Sequence, residues 1–140
     1  MASVTSVMPD RTPSLNQELD ELRLVAFGAV PGALLRWQMS SYLNDHNLAV
    51  NVLGSAVLGL LIGLRSSPKR MLLMGVGFCG SLTTFSSWML AASRALSEGR
   101  WGDATGLIGL TLGLGMGAAV VGMWCGRCLV ATRSESNLSP

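Results

Sequence analysis

Five hydroxyl side chains, Ser81, Thr83, Thr84, Ser86 and Ser87, stand almost side by side in the run GFCGSLTTFSSW at residues 77–88. The stretch around them, residues 71–93, carries no charge at all. Hydroxyls in an apolar environment are costly unless something satisfies them. A cluster of them, bracketed by Gly80 and the aromatic rings of Phe85 and Trp88, points to a broken helix around a polar site rather than to a plain anchor. Three other polar groups lie in apolar runs: Asn51, Thr111 and Arg36. The Asn51 amide brings two donors that must find partners in a dry span, and a helix-to-helix hydrogen bond is the simpler alternative to a site role. Arg36 has two readings, snorkelling to the surface or a fixed positive charge in a water-filled vestibule.

The chemistry that is missing narrows the choice. No Asp or Glu lies inside an apolar run, and the single histidine, His46, falls in a polar turn. Proton-coupled transport relies on intramembrane carboxylates or histidines, and cation channels often use acidic rings. No nucleophile–base pair is present for catalysis, so an enzyme is not expected. Cys125 and Cys128 have redox spacing, but they sit at the end of a span with no thioredoxin-like context. What remains is a set of neutral donors: amide, hydroxyls and aromatic edges, which carry partial positive charge. Such a set suits a small, hard anion, replacing its hydration without holding it too tightly to leave.

The elements that must position these groups are set by charge. Only 13% of the 140 residues are charged, against about 25% in ordinary soluble domains. The charges sit in blocks that leave four apolar runs of a length suited to crossing a bilayer, which takes about 20 residues. The runs are predicted as transmembrane helices at 21–43, 48–64, 71–96 and 103–125. This gives an all-α membrane protein, with a polar N-terminal tail at 1–20, a four-helix membrane unit at 21–128 and a C-terminal tail at 129–140. Residues 1–20 lack the basic start and apolar stretch of a secretory signal. Gly28 and Gly32, then Ser55, Gly59 and Gly63, and then Gly109, Gly113 and Gly117 form small-residue faces suited to tight helix packing. Pro31 is expected to bend the first helix. No basic face is left for nucleic acid. Four thin, glycine-rich helices enclose little, which argues for an oligomer.

Four spans put both termini and the middle loop on one side of the membrane. That side holds Arg11, Arg23, Arg65, Lys69, Arg70, Arg127 and Arg133, and the other holds only Arg94 and Arg100. Positive residues stay cytoplasmic, so the termini are expected inside a cell inner membrane or plasma membrane.

The pieces GAVPGALLRW, NLAVNVLGSAVLG and GFCGSLTTFSSW, together with the four-span length, resemble the Fluc/CrcB family of fluoride channels over almost everything from Leu22 to Gly126. The resemblance implies an antiparallel dimer with two narrow fluoride pores, the third helix broken near mid-membrane, and fluoride leaving the cytoplasm passively. It implies a structural sodium ion at the dimer interface, held by main-chain carbonyls that fall on Gly80 and Thr83. It places the pore-lining aromatics on Phe85 and Trp88, the pore asparagine on Asn51, the first-span arginine on Arg36, the adjacent hydroxyls on Ser86 and Ser87, and the fourth-span polar residue on Thr111. Three departures stand out: Trp88 replaces a phenylalanine, Ser81 replaces a glycine, and the fourth span has no tyrosine. Trp88 is bulkier and raises the alternative that one pore is altered or closed. An antiparallel homodimer needs one sequence to insert both ways, which the Lys/Arg bias opposes. Pairing with a related, oppositely biased subunit is therefore expected, the alternative being a dual-topology homodimer. The rival functions are a small four-span multidrug-type exporter and a non-transporting membrane assembly subunit.

Overall fold

The computed structural model describes residues 14–43 and 47–136, with side chains to residue 132. The polar turn around His46, the tail carrying Arg11 and residues 137–140 lie outside the described residues, as does the Arg133 side chain. Within them the chain is helical, with no strand.

Helix α1 runs Leu15–Tyr42. Ser14 caps it: its backbone is extended and its hydroxyl accepts from Gln17 N–H at 3.4 Å, while Glu18 places negative charge in the first turn. Pro31 lies inside α1. Helix α2, Leu48–Gly63, starts from Asn47, whose φ of 66° suits asparagine among non-glycine residues. The Ser40 hydroxyl donates to Asn47 Oδ1, tying the end of α1 to the start of α2.

Helix α3 covers residues 68–82. It opens with one α turn at Pro68–Arg70, continues as a π-helix over Met71–Cys79, and closes with the turn Gly80–Leu82. A π-helix of this length is rare. Helical geometry then stops. Thr83 is extended, with ψ of 153°, and helix α4 begins at Ser86 and runs to Ser97. Gly99, with φ of 74°, turns the chain. Arg100 there bonds Glu98 at 2.6 Å and Asp103 at 2.7 Å. Helix α5 runs Trp101–Ser136, so the segment from 129 begins as a continuation of this helix.

Helix α2 packs mainly on α5, α1 on the π-helical part of α3, and α4 on the start of α5. Glycine sets two of these contacts. A methyl group on Gly28 or Gly32 would overlap the Leu73 or Phe78 carbonyl of α3. Gly59 and Gly63 on α2 interlock with Gly122 and Gly126 on α5 in the same way. The stripe Gly109, Gly113 and Gly117, expected from sequence to be a packing face, touches nothing in this chain: a methyl group on any of the three would meet no atom within 4 Å. The reason is phase. Residues spaced by four share a helix face, but spacing alone does not say which of two such faces meets a neighbour.

The surface is apolar and the core is small. Phe27, Val30, Leu34, Ile62, Leu90, Leu110, Met116 and Val120 are exposed, while Ala92, Ala95 and Ala104 form a buried cluster under α4. This inverts the pattern of a soluble domain and suits a bilayer as solvent. Pro68–Ser97 and Trp101–Thr132 are long and apolar enough to cross a membrane, and α2 is a shorter apolar helix. The exposed Trp101 and Trp124 on α5 stand about 35 Å apart by helical rise, the depth of a bilayer core with its aromatic belts.

Candidate functional site

The interruption between Leu82 and Ser86 frees main-chain groups, and each needs a partner. Thr83 N–H and the Thr83 hydroxyl both donate to the Cys79 carbonyl, at 3.0 and 2.9 Å. Thr84 turns instead to α2. Its N–H donates to Asn51 Oδ1 at 2.8 Å, and Asn51 Nδ2 donates to its carbonyl at 3.0 Å. One carboxamide thus replaces the helical ladder at the point where it fails. Asn51 is only 8% exposed, so its side of the pair is shielded from competing water, while Thr84 is half-buried. The Thr84 and Ser86 hydroxyls are joined at 3.1 Å, and Ser81 donates to the Phe78 carbonyl at 3.1 Å. Gly54 on α2 leaves the space that the Thr83 methyl fills.

Beside the interruption lies an open groove of about 470 Å³ between α2, α3, α4 and α5. Asn51, Gly80, Thr83, Phe85, Trp88 and Thr111 all line it. The Phe85 and Trp88 rings meet edge to face, with centroids 4.8 Å apart and planes at 75°. Their exposures differ: Phe85 is 66% exposed and Trp88 5%. Thr111 is 5% exposed, and its hydroxyl has no hydrogen-bond partner among the described residues. A buried hydroxyl left without a partner is uncommon in a folded protein.

Six of the nine residues singled out from sequence therefore share one groove. The other three lie elsewhere. Ser86 touches the groove's edge only through its bond to Thr84. Ser87 lines a second cavity with Arg94, Glu98, Arg100 and Asp103, at the α4–α5 turn. Arg36 is half-buried on α1 and does not line the main groove. Sequence reasoning missed the double use of the Cys79 carbonyl, the Gly54–Thr83 contact and the π-helix. The glycine pair Gly75 and Gly77 in an apolar run was the available signal for an irregular helix.

Among known proteins, residues 23–123 match the family model described as CrcB-like protein, Camphor Resistance (CrcB). The chain belongs to the CrcB family. This CrcB-family chain is 65% identical over 122 residues to a protein named fluoride-specific ion channel FluC 2 from Synechococcus sp. (strain CC9605), covering 87% of this chain and 92% of the relative. It is 63% identical over 122 residues to the FluC 2 of Parasynechococcus marenigrum (strain WH8102), with the same coverage. Over 125 residues it is 62% identical to the FluC 2 of Synechococcus sp. (strain CC9902), covering 87% of this chain and 93% of the relative. Like its apolar surface, this kinship makes the chain a membrane protein. Its CrcB-type groove offers amide, hydroxyl and aromatic groups and, among the described residues, no carboxylate.

Proposed function

We propose that this chain is a subunit of a fluoride-selective channel that lowers cytoplasmic fluoride by passive efflux. The observation that carries the reading is the groove: neutral hydrogen-bonding groups and two aromatic rings gathered beside an interrupted helix. Outside the acid range, fluoride enters a cell slowly as the neutral acid and is trapped inside as the ion. A passive pore then drains it, and neutral donors let the ion shed water and still leave. The names of the relatives support the same substrate. A proton-coupled exporter would need an intramembrane carboxylate, and the acids of the described residues lie at the start of α1, around the α4–α5 turn and in the last turn of α5.

The channel is an antiparallel dimer whose third helix breaks near mid-membrane. Support comes from the unfinished state of the groove: Gly80 and Phe85 at its edge are exposed in the single subunit, and Gly80 has open space around it. A second subunit supplies the missing wall. The Gly80 and Thr83 carbonyls would hold a sodium ion there. The donor set fits, because Thr83 leaves helical geometry and its carbonyl no longer belongs to a regular ladder. Carbonyl oxygens at a helix break suit a hard cation in lipid, where the ion supplies fixed positive charge. The termini face the cytoplasm, and the partner is a related subunit with the opposite charge bias. Fluoride efflux from liposomes carrying the protein tests the reading against both a multidrug-type exporter and a non-transporting assembly subunit.

A further inference from the structure

Positive side chains gather where α2 gives way to α3. Arg65, Lys69 and Arg70 stand on the turn and the first residues of α3, and all are exposed. Arg127 joins them from α5. It follows Gly126, whose backbone lies against the Leu64 N–H of α2, one residue before Arg65. Through their side chains these residues make no hydrogen bond or ion pair among the described residues. Acids stand at the same end, because Gly28 meets Leu73 and Gly32 meets Phe78, so α1 and α3 run in one direction. They are Glu18, Asp20 and Glu21, and the ion pair they form among the described residues is Asp20 with Arg23, at 3.2 Å.

Arg65 separates a binding site from a mere charge bias. It ends α2 as the left-handed residue of the turn, with φ of 50°. Its N–H donates to the Ile62 carbonyl at 3.1 Å, and the Ser66 N–H to the Leu61 carbonyl at 3.2 Å. Glycine normally fills this position, because a side chain there crowds the following carbonyl oxygen. Orientation in a membrane needs positive charge somewhere in the loop, and positions 66 and 67 could carry it without strain. Strain kept at Arg65 points to a use for its guanidinium. Exposed apolar residues flank the charges: Ile62 a turn before Arg65, Trp124 a turn before Arg127, and Leu129 just beyond it. Cations beside exposed hydrocarbon suit an amphiphile rather than a free phosphate.

We propose that Arg65, Lys69, Arg70 and Arg127 form a site for the phosphate headgroup of an anionic phospholipid, whose acyl chains lie along α2 and α5. The site is separate from the groove and stands whether or not the chain conducts fluoride. Guanidinium groups take phosphate oxygens through paired N–H donors, and Lys69 adds a point charge. The bound lipid joins α2, α3 and α5 where Gly63 and Gly126 interlock, and so stabilises the folded subunit.

The test uses the purified full-length chain in neutral detergent, with phosphatidylglycerol, phosphatidylcholine of the same acyl chains, or glycerol phosphate added. Native mass spectrometry reads bound lipid, and thermal unfolding reads stabilisation. Phosphatidylglycerol should stay bound and raise the melting temperature, and phosphatidylcholine should do neither at the same concentration. Arg65→Gly should give two effects of opposite sign. Without lipid it should melt above wild type, because glycine suits a φ of 50°. It should also bind phosphatidylglycerol about fivefold more weakly, the share of one cation near an anionic headgroup. Lys69→Gln combined with Arg127→Gln leaves the strained turn as it is and should weaken binding about 25-fold. Arg94→Gln, at the α4–α5 turn, should leave binding unchanged. The site is overturned if the two lipids bind alike, if the Arg65 and Lys69/Arg127 variants hold phosphatidylglycerol as wild type does, or if Arg94→Gln weakens it as much as Arg65→Gly. Melting of lipid-free Arg65→Gly below wild type would make the arginine structural and overturn it too. Full stabilisation by glycerol phosphate alone would make it a site for free phosphate instead.

Discussion

The carboxamide of Asn51 on α2 grips both main-chain groups of Thr84, 33 residues away, accepting from its N–H at 2.8 Å and donating to its carbonyl at 3.0 Å. The pair fixes where the interrupted helix sits against α2, and with it the position of Phe85 one residue on. Asn51→Leu should orphan two part-buried groups, the Thr84 N–H and carbonyl, and cost about 1 kcal/mol for each. Asn51→Asp keeps an acceptor for the Thr84 N–H but sets carboxylate oxygen against the Thr84 carbonyl. Both variants should show lower thermal stability and sharply reduced fluoride flux. Wild-type melting and flux in Asn51→Asp would show that the grip does not position the site.

This relationship marks the boundary of what the sequence reveals. The four spans follow from apolar runs that are nearly free of charge, and the site from five hydroxyls crowded around Gly80, Phe85 and Trp88 in one of those runs. Such signals are local, so one sequence carries them. The partner of Asn51 depends instead on how α2 sits against the interruption at Thr83–Phe85, which no short-range pattern encodes. The same limit explains the glycines of α5, where two faces have the right spacing and only Gly122 and Gly126 meet α2 closely. The π-helix at Met71–Cys79 is likewise unreadable from a local pattern; its backbone packs closely on Gly28 and Gly32 of α1.

The two glycine faces give a paired test. Gly59→Ala would drive a methyl group into the Ala119 carbonyl of α5 and should destabilise the subunit by about 1–3 kcal/mol. Gly113→Ala meets open space and should stay within about 0.5 kcal/mol of wild type. Thermal unfolding in detergent micelles distinguishes them. Equal destabilisation would mean that α2 and α5 do not pack through Gly59.

If the chain assembles as proposed, substitution at Gly80 should separate folding from assembly. A methyl group there has room within the subunit, so Gly80→Leu should leave helix content and subunit melting near wild type. Cross-linking should show the dimer lost. Replacing sodium with a large organic cation should lower wild-type activity slowly, as a buried ion escapes. A loss that is immediate and reverses at once would place the sodium effect at the surface, away from Gly80 and Thr83.

Orientation follows from the loop arginines and lysines. A reporter fused to the C-terminus should be active only when it is a cytoplasmic type, and this subunit expressed alone should give no fluoride resistance. Equal activity from cytoplasmic and periplasmic reporters would show that the chain inserts both ways and needs no related partner.

The most direct measurement is fluoride release from liposomes that carry this chain with its dimer partner, read with a fluoride electrode. The protein should release fluoride passively, without a proton gradient and with little chloride, and Phe85→Ile, which deletes an aromatic edge at an exposed position, should cut the rate sharply in folded protein. Release no faster than from empty liposomes, with folded protein present, would contradict the channel.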